Sequence, residues 1–195
     1  MAARPDMSDM VIHFTKADEN HTALERLLVM VGEGRLIGGT GMIKGVYRCV
    51  CFTEAPIPAM TNGFVNANSF TRYSPFGLMF DKKWVYEKGA RPVIYQPDAD
   101  FENLPENMRW RHVRYEPPQI DFTWEREWRL HADELEFSPQ DVVLVVPDQE
   151  HENFVFDIWD AQQQLEAEMY STVLDAGALE LMHQPCPWRI VKLAQ

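Results

Sequence analysis

The sequence predicts an α+β fold in one domain, with more strand than helix. Three observations lead there. Short runs rich in β-branched and aromatic residues, such as 46–53 (VYRCVCFT), 77–80 (GLMF) and 142–146 (VVLVV), recur between turn-forming residues. Helical periodicity is confined to two places, one towards each end of the chain. The 195 residues, 46% of them hydrophobic, contain no repeat, low-complexity segment or linker that would divide them, so residues 1–195 read as a single domain.

The elements follow in order. Val11 to Thr15 is a short strand. Thr22-Ala-Leu-Glu25 has the form of a capping box, and Leu24, Leu27, Leu28 and Val31 continue it as the apolar stripe of a helix that Gly32 and Gly34 end. The Gly-rich stretch Leu36 to Gly45 fits neither a Walker loop nor a dinucleotide fingerprint, and reads as a mobile turn. Val46 to Thr53 is a strand, and Pro56 to Thr71 a long loop. Gly77 to Phe80 and Arg91 to Tyr95 are strands on either side of a turn or short helix at Lys82 to Gly89. Pro97 to Met108 is a loop or short helix, and Arg109 to Tyr115 is extended. Trp124 to Leu130 and Val142 to Val146 are strands, Asp160 to Ala176 a helix stopped by Gly177, and Trp188 to Leu193 the last strand.

Composition excludes several function classes. A pI near 4.9 and a net charge of −12 argue against a domain that sheathes a phosphate backbone. Eleven acidic residues and no lysine or arginine fall between Asp133 and Glu168, so this stretch carries nearly all of the net charge. It reads as a solvated face or as a docking surface for a basic partner protein. The remainder is nearly neutral, and the charge argument against nucleic acid is weak there. No apolar run approaches a membrane span, and Met1 to Met10 lacks the basic-then-apolar order of a signal peptide. Cys49, Cys51 and Cys186 form no disulfide framework and no metal-binding spacing. The expectation is a cytoplasmic protein with reduced thiols and no metal.

Three groups of residues carry possible chemistry. In 121–129 (DFTWEREWR), strand alternation places Thr123, Glu125, Glu127 and Arg129 on one face, and Trp124, Arg126 and Trp128 on the other. Two carboxylates so close repel unless something binds them. One reading pairs them with the basic, aromatic-interleaved segment Arg109 to Tyr115, whose other reading is contact with the phosphates or bases of a nucleic-acid acceptor. The other holds a carboxylate in a cleft to stabilise a cationic transition state. His13 and Thr15 share a strand face. Arg72, Tyr73 and Ser74 precede Gly77 at the start of an apolar strand.

The order HFT, CFTE-x-P, RYSPFGLMFDK and FTWEREWR resembles abortive-infection and phage-defence proteins of the AbiGi type, whose layout is similar to the ADP-ribosyltransferase fold. The resemblance covers roughly His13 to Pro147. It implies a bent, split β-sheet core with flanking helices that grips NAD in a central cleft. It implies that His13 and Thr15 bind NAD, that Tyr73 stacks on the nicotinamide and that Arg72 meets the pyrophosphate. Glu127 takes the catalytic position, and Glu125 handles the acceptor, a nucleic acid, a protein side chain or water. Tyr73 lacks the regularly spaced second tyrosine of the better-known members, since Tyr86 and Tyr95 flank a turn instead, and Phe76 competes with it for stacking. A toxin or phage-defence role follows from the resemblance alone. The alternatives are a non-catalytic acidic antitoxin or immunity partner, and a nucleotide-processing hydrolase on the same scaffold.

Overall fold

A computed structural model describes residues 7–55, 74–175, 177, 178, 181 and 183–193. Its centre is a seven-stranded mixed sheet. The strands are β1 (Met10–Phe14), β3 (Cys49–Thr53), β4 (Gly77–Asp81), β5 (Arg91–Pro92), β8 (Glu127–His131), β10 (Val142–Val146) and β11 (Arg189–Lys192). Across the sheet they run β11-β10-β4-β1-β3-β8-β5. All neighbours are antiparallel except β10 and β11. A parallel pair needs a crossover, and the longest helix, α3 (Gln149–Tyr170), lies in that connection, while the short α2 (Lys82–Glu87) follows β4. Two small ladders stand apart: β2 (Arg35–Ile37) with β9 (Glu134–Glu136), and β6 (Ile94–Gln96) parallel to β7 (His112–Arg114).

One face of the sheet makes the core. Val11, Val50, Phe52, Leu78, Phe80, Trp128, Leu130, Val142 and Leu144 are buried in one apolar cluster. Helix α1 (Ala23–Glu33) adds Leu27, with Leu28 and Val31 packed beside it. Its capping box forms as the sequence predicts. Thr22 Oγ1 accepts from the Glu25 amide, and Glu25 Oε2 accepts from the Thr22 amide at 2.7 Å. Strand β10 lies between β4 and β11, with Leu144, Val145 and Val146 all fully buried. An unbroken apolar run is what a strand covered on both faces requires.

Several expectations change. Arg109 to Arg111, expected extended, close a 3₁₀ helix (Glu106–Arg111), and 46–48, expected as strand, precede β3, with Val46 at φ 57°. The second long helix begins at Gln149 and ends at Tyr170, instead of covering Asp160 to Ala176. Asp148 caps it by accepting from the His151 amide at 3.1 Å. Its first half carries Phe154, Val155, Phe156, Ile158 and Trp159 around more than one side, so no single stripe of helical period marks where it begins. Next, 36–45 is tied down rather than a free turn. Leu36 and Ile37 belong to β2, the Gly38 amide donates to Asp133 O at 2.7 Å, and Gly39 and Cys49 exchange both backbone hydrogen bonds. A Cβ at Gly38 would stand 2.2 Å from Ala132 O, so the close approach requires glycine. Finally, Trp124 and Glu125 are not strand. Thr123–Glu125 is a single 3₁₀ turn, Arg126 adopts a left-handed conformation with φ 46°, and β8 begins at Glu127.

Candidate active site

The turn before β8 positions the acidic pair. Tyr95 braces it from the neighbouring segment: its hydroxyl accepts from the Glu127 amide at 3.2 Å and donates to Phe122 O at 3.2 Å. Burial pushes the Tyr95 phenol up to about 12, so it stays protonated and keeps donating. Thr53 Oγ1 donates to Glu125 O from the other side. Held this way, Glu125 is buried and turned into the same cavity as Glu127, although only Glu127 lies on the strand.

That cavity has a volume of about 620 Å³, within the usual range of small-molecule sites. Val113, Ile120 and Phe122 give it apolar walls, with Met42 and Cys51. Glu125, Glu127 and Arg129 face it, as do Lys16, Lys44, Asp98 and Arg114. Arg129 is the fixed point. Its Nε donates to Glu127 Oε1 at 2.8 Å and its Nη2 to Glu127 Oε2 at 3.3 Å. Its Nη1 donates to Trp110 O at 3.0 Å and to His112 O at 2.9 Å. The guanidinium thus joins β8 to the start of β7 while keeping Glu127 in one orientation. Of the other cations, Lys44 pairs with Asp98 at 2.8 Å and Arg114 with Glu116. Lys16 has no ion pair among the described residues.

The basic segment is not the counter-charge to the two glutamates. Arg109 bonds to Leu104 O and Glu102, and Arg111 to Pro92 O. Arg114 reaches the cavity but is held by Glu116. The counter-charge to Glu127 is Arg129, two residues along its own strand, where alternation brings both side chains to one face.

His13 and Thr15 lie apart from this group. Ile12 is in register with Thr53, and Thr53 with Glu127, so these three side chains share a face. His13 comes one residue later on β1 and faces the other side, in edge contact with Phe52 at 6.2 Å between ring centroids. Its Nδ1–H donates to Cys51 O at 2.8 Å, and burial lowers its pKa below the ordinary 6.5. The Thr15 hydroxyl donates to Ala23 O at 2.9 Å, which fixes the start of α1 to the end of β1. Neither lines the cavity. Arg72 and Tyr73 lie outside the described residues. Phe76 packs in edge contact on His151, 5.2 Å between centroids, away from the cavity.

The structure therefore brings Glu125, Glu127 and Arg129 together and adds residues that sequence reasoning did not select. Lys16 directly follows the HFT motif and was within reach of it. Lys44 and Met42 come from a loop with no periodic signal, whereas Phe122 belongs to the 121–129 stretch already singled out. Among the described residues no cluster of His, Cys, Asp and Glu is arranged to hold a metal ion. No described helix is long and apolar enough to cross a membrane. Comparison with family models, with curated proteins and with solved structures finds no match to the chain.

Proposed function

We propose that the protein is an NAD-consuming enzyme of the ADP-ribosyltransferase type, with its sheet as the bent, split core of that fold and Glu127 as its essential carboxylate. The observation that carries this reading is that Glu125 and Glu127 turn into one cavity of about 620 Å³ with apolar walls, a shape suited to a small-molecule ligand. Cleavage of the bond between ribose and nicotinamide builds positive charge on the ribose carbon. An anion held beside it lowers that barrier, as in glycoside hydrolysis. Nicotinamide leaves neutral, taking the bonding electron pair, and the acceptor's nucleophile forms the new bond to the same carbon. Glu125 takes the proton that the acceptor loses. Arg129 keeps the Glu127 carboxylate fixed, so little reorganisation is needed when charge develops. Lys16 is the cation with capacity for the pyrophosphate. In this reading His13 and Thr15 support the site from the reverse face of the sheet, while Arg72 and Tyr73 retain the roles that the resemblance gives them. The acceptor is a nucleic acid or a protein side chain, and the biological setting is toxin action or phage defence.

The test is incubation with NAD labelled in the adenosine portion, reading nicotinamide release and label transfer to DNA, RNA and protein acceptors. The expected result is release by the unaltered chain and a loss of at least a hundredfold in Glu127→Gln. Equal turnover in that variant overturns the assignment of Glu127. No release with any acceptor favours the non-catalytic antitoxin or immunity reading. Turnover of free nucleotides without NAD favours the hydrolase.

A further inference from the structure

Helix α3 (Gln149–Tyr170) has 22 residues and is about 33 Å long at 1.5 Å per residue, yet only Val155 is buried. Its polar attachments run along one side, from Gln149 to Gln163. Lys192 bonds to Gln149 and Glu152, Trp159 Nε1 donates to Gln184 O at 2.8 Å, and the Gln184 amide donates to Gln163 Oε1 at 3.1 Å. A different side carries Phe154, Ile158, Leu165 and Met169, spaced 4, 7 and 4 residues apart, which aligns them on one stripe. Phe154 is 45% exposed, Leu165 59% and Met169 68%. Such a stripe is the seam of a two-helix contact, and here three of its four members face outward while Ile158 is half-buried. Glu150, Asp157 and Glu168, spaced 7 and 11 apart, line one edge of it with carboxylates. A groove of about 480 Å³ adjoins its first turns, lined by Leu24, Phe154, Glu150 and Asp157 among others.

We infer that this stripe is the docking surface for a basic amphipathic helix of a partner protein, whose apolar seam packs on Phe154, Leu165 and Met169. The charge pattern selects that occupant. Lysines or arginines flanking the partner's seam would meet Glu150, Asp157 and Glu168, as the flanking positions of coiled coils do. A second copy of this chain is a poor fit. Antiparallel pairing of two such helices sets acidic edge against acidic edge, and each copy carries a net charge of −12. The inference does not depend on the chemistry of the cavity.

The test uses the full chain and a synthetic helical peptide with leucine at its seam positions and lysine on both flanks. A control peptide has glutamate in place of lysine. Binding is followed by fluorescence anisotropy at low and physiological salt. The lysine peptide is expected to bind, weakening severalfold as salt rises, and the glutamate peptide not to bind. Leu165→Ser and Met169→Ser remove exposed apolar groups that the fold does not bury, so the chain still unfolds cooperatively and at an unchanged temperature. Together they are expected to weaken the peptide at least tenfold. Asp157→Lys is expected to weaken it severalfold, and Glu136→Lys, on exposed β9, to leave it unchanged. Equal binding in the serine variant overturns the docking surface. Equal weakening by Glu136→Lys and Asp157→Lys overturns it too, because the attraction is then diffuse. Self-association in sedimentation that Leu165→Ser abolishes would assign the stripe to a second copy instead.

Discussion

Arg129 grips Glu127 from two positions along the same strand, with Nε 2.8 Å from Oε1 and Nη2 3.3 Å from Oε2, and both side chains are nearly closed to solvent. The remaining guanidinium nitrogen is bound by the carbonyls of Trp110 and His112. The pair is therefore a joint between β8 and the segment that forms the opposite wall of the cavity.

Removing one side of that joint should be costly. Arg129→Met leaves a buried carboxylate and two carbonyls without their donors, and should lower stability by about 3–5 kcal/mol. The midpoint and slope of urea unfolding measure it. Combining it with Glu127→Gln should recover part of the loss, since the uncompensated charge disappears. Strictly additive losses would show that the two side chains act independently.

Gly38 and Gly39 should separate cleanly despite being neighbours. An alanine at 38 places its Cβ against the Ala132 carbonyl, whereas nothing lies within 4 Å of a Cβ at 39. Gly38→Ala should destabilise by about 1–3 kcal/mol as β2 and β9 are forced apart. Gly39→Ala should unfold close to the temperature of the unaltered chain, and calorimetry on the two variants decides it.

His13 should make stability depend on pH near neutrality. Its pKa is lowered in the folded state, chiefly by burial. The unfolded chain therefore takes up a proton near 6.5 while the folded chain still refuses it. The stabilisation is complete above that value and is lost as pH falls through it towards the folded pKa. Unfolding free energy should drop between pH 7.5 and 5.5. His13→Asn, which can still donate to Cys51 O but does not titrate, should flatten that slope.

The thiols should differ in reactivity. Burial pushes Cys49 up to about 11. Cys51 is pushed further, first by burial and then by the Glu127 carboxylate, although it lines the cavity. Thiolate is scarce at both, and thiolate is the reactive form. Cys186 is also raised, chiefly by burial. Alkylation at pH 8 followed by peptide mapping should find Cys186 modified first, with Cys49 and Cys51 reacting fully only after denaturation.

Local chemistry was legible in the chain wherever one segment met its own requirements. Thr22 and Glu25 cap a helix whose stripe lies within eleven residues, and VVLVV can satisfy its apolar side chains only when covered on both faces. These features depend on neighbours a few positions away, and short-range sterics and burial decide them. The long helix begins eleven residues before the position its sequence predicts, for the complementary reason. Its first turns are set by the Asp148 cap and by attachment to Lys192 across the crossover, while the seam it exposes follows no core.

The candidate site divides along the same line. Alternation alone puts Glu127 and Arg129 on one face, because residues two apart on a strand must agree. The sequence by itself thus determined an α+β chain, the acidic pair beside Arg129, and the concentration of negative charge in its C-terminal half. Only tertiary structure decided the rest. A left-handed Arg126 turns Glu125 into the cavity without a continuous strand, and register across β1, β3 and β8 sends His13 to the opposite face. Lys16 and Lys44 reach the cavity, on the Glu127 face, from loops distant in sequence. Which face a residue joins depends on hydrogen-bond partners dozens of positions away, and a one-residue change of register reverses it.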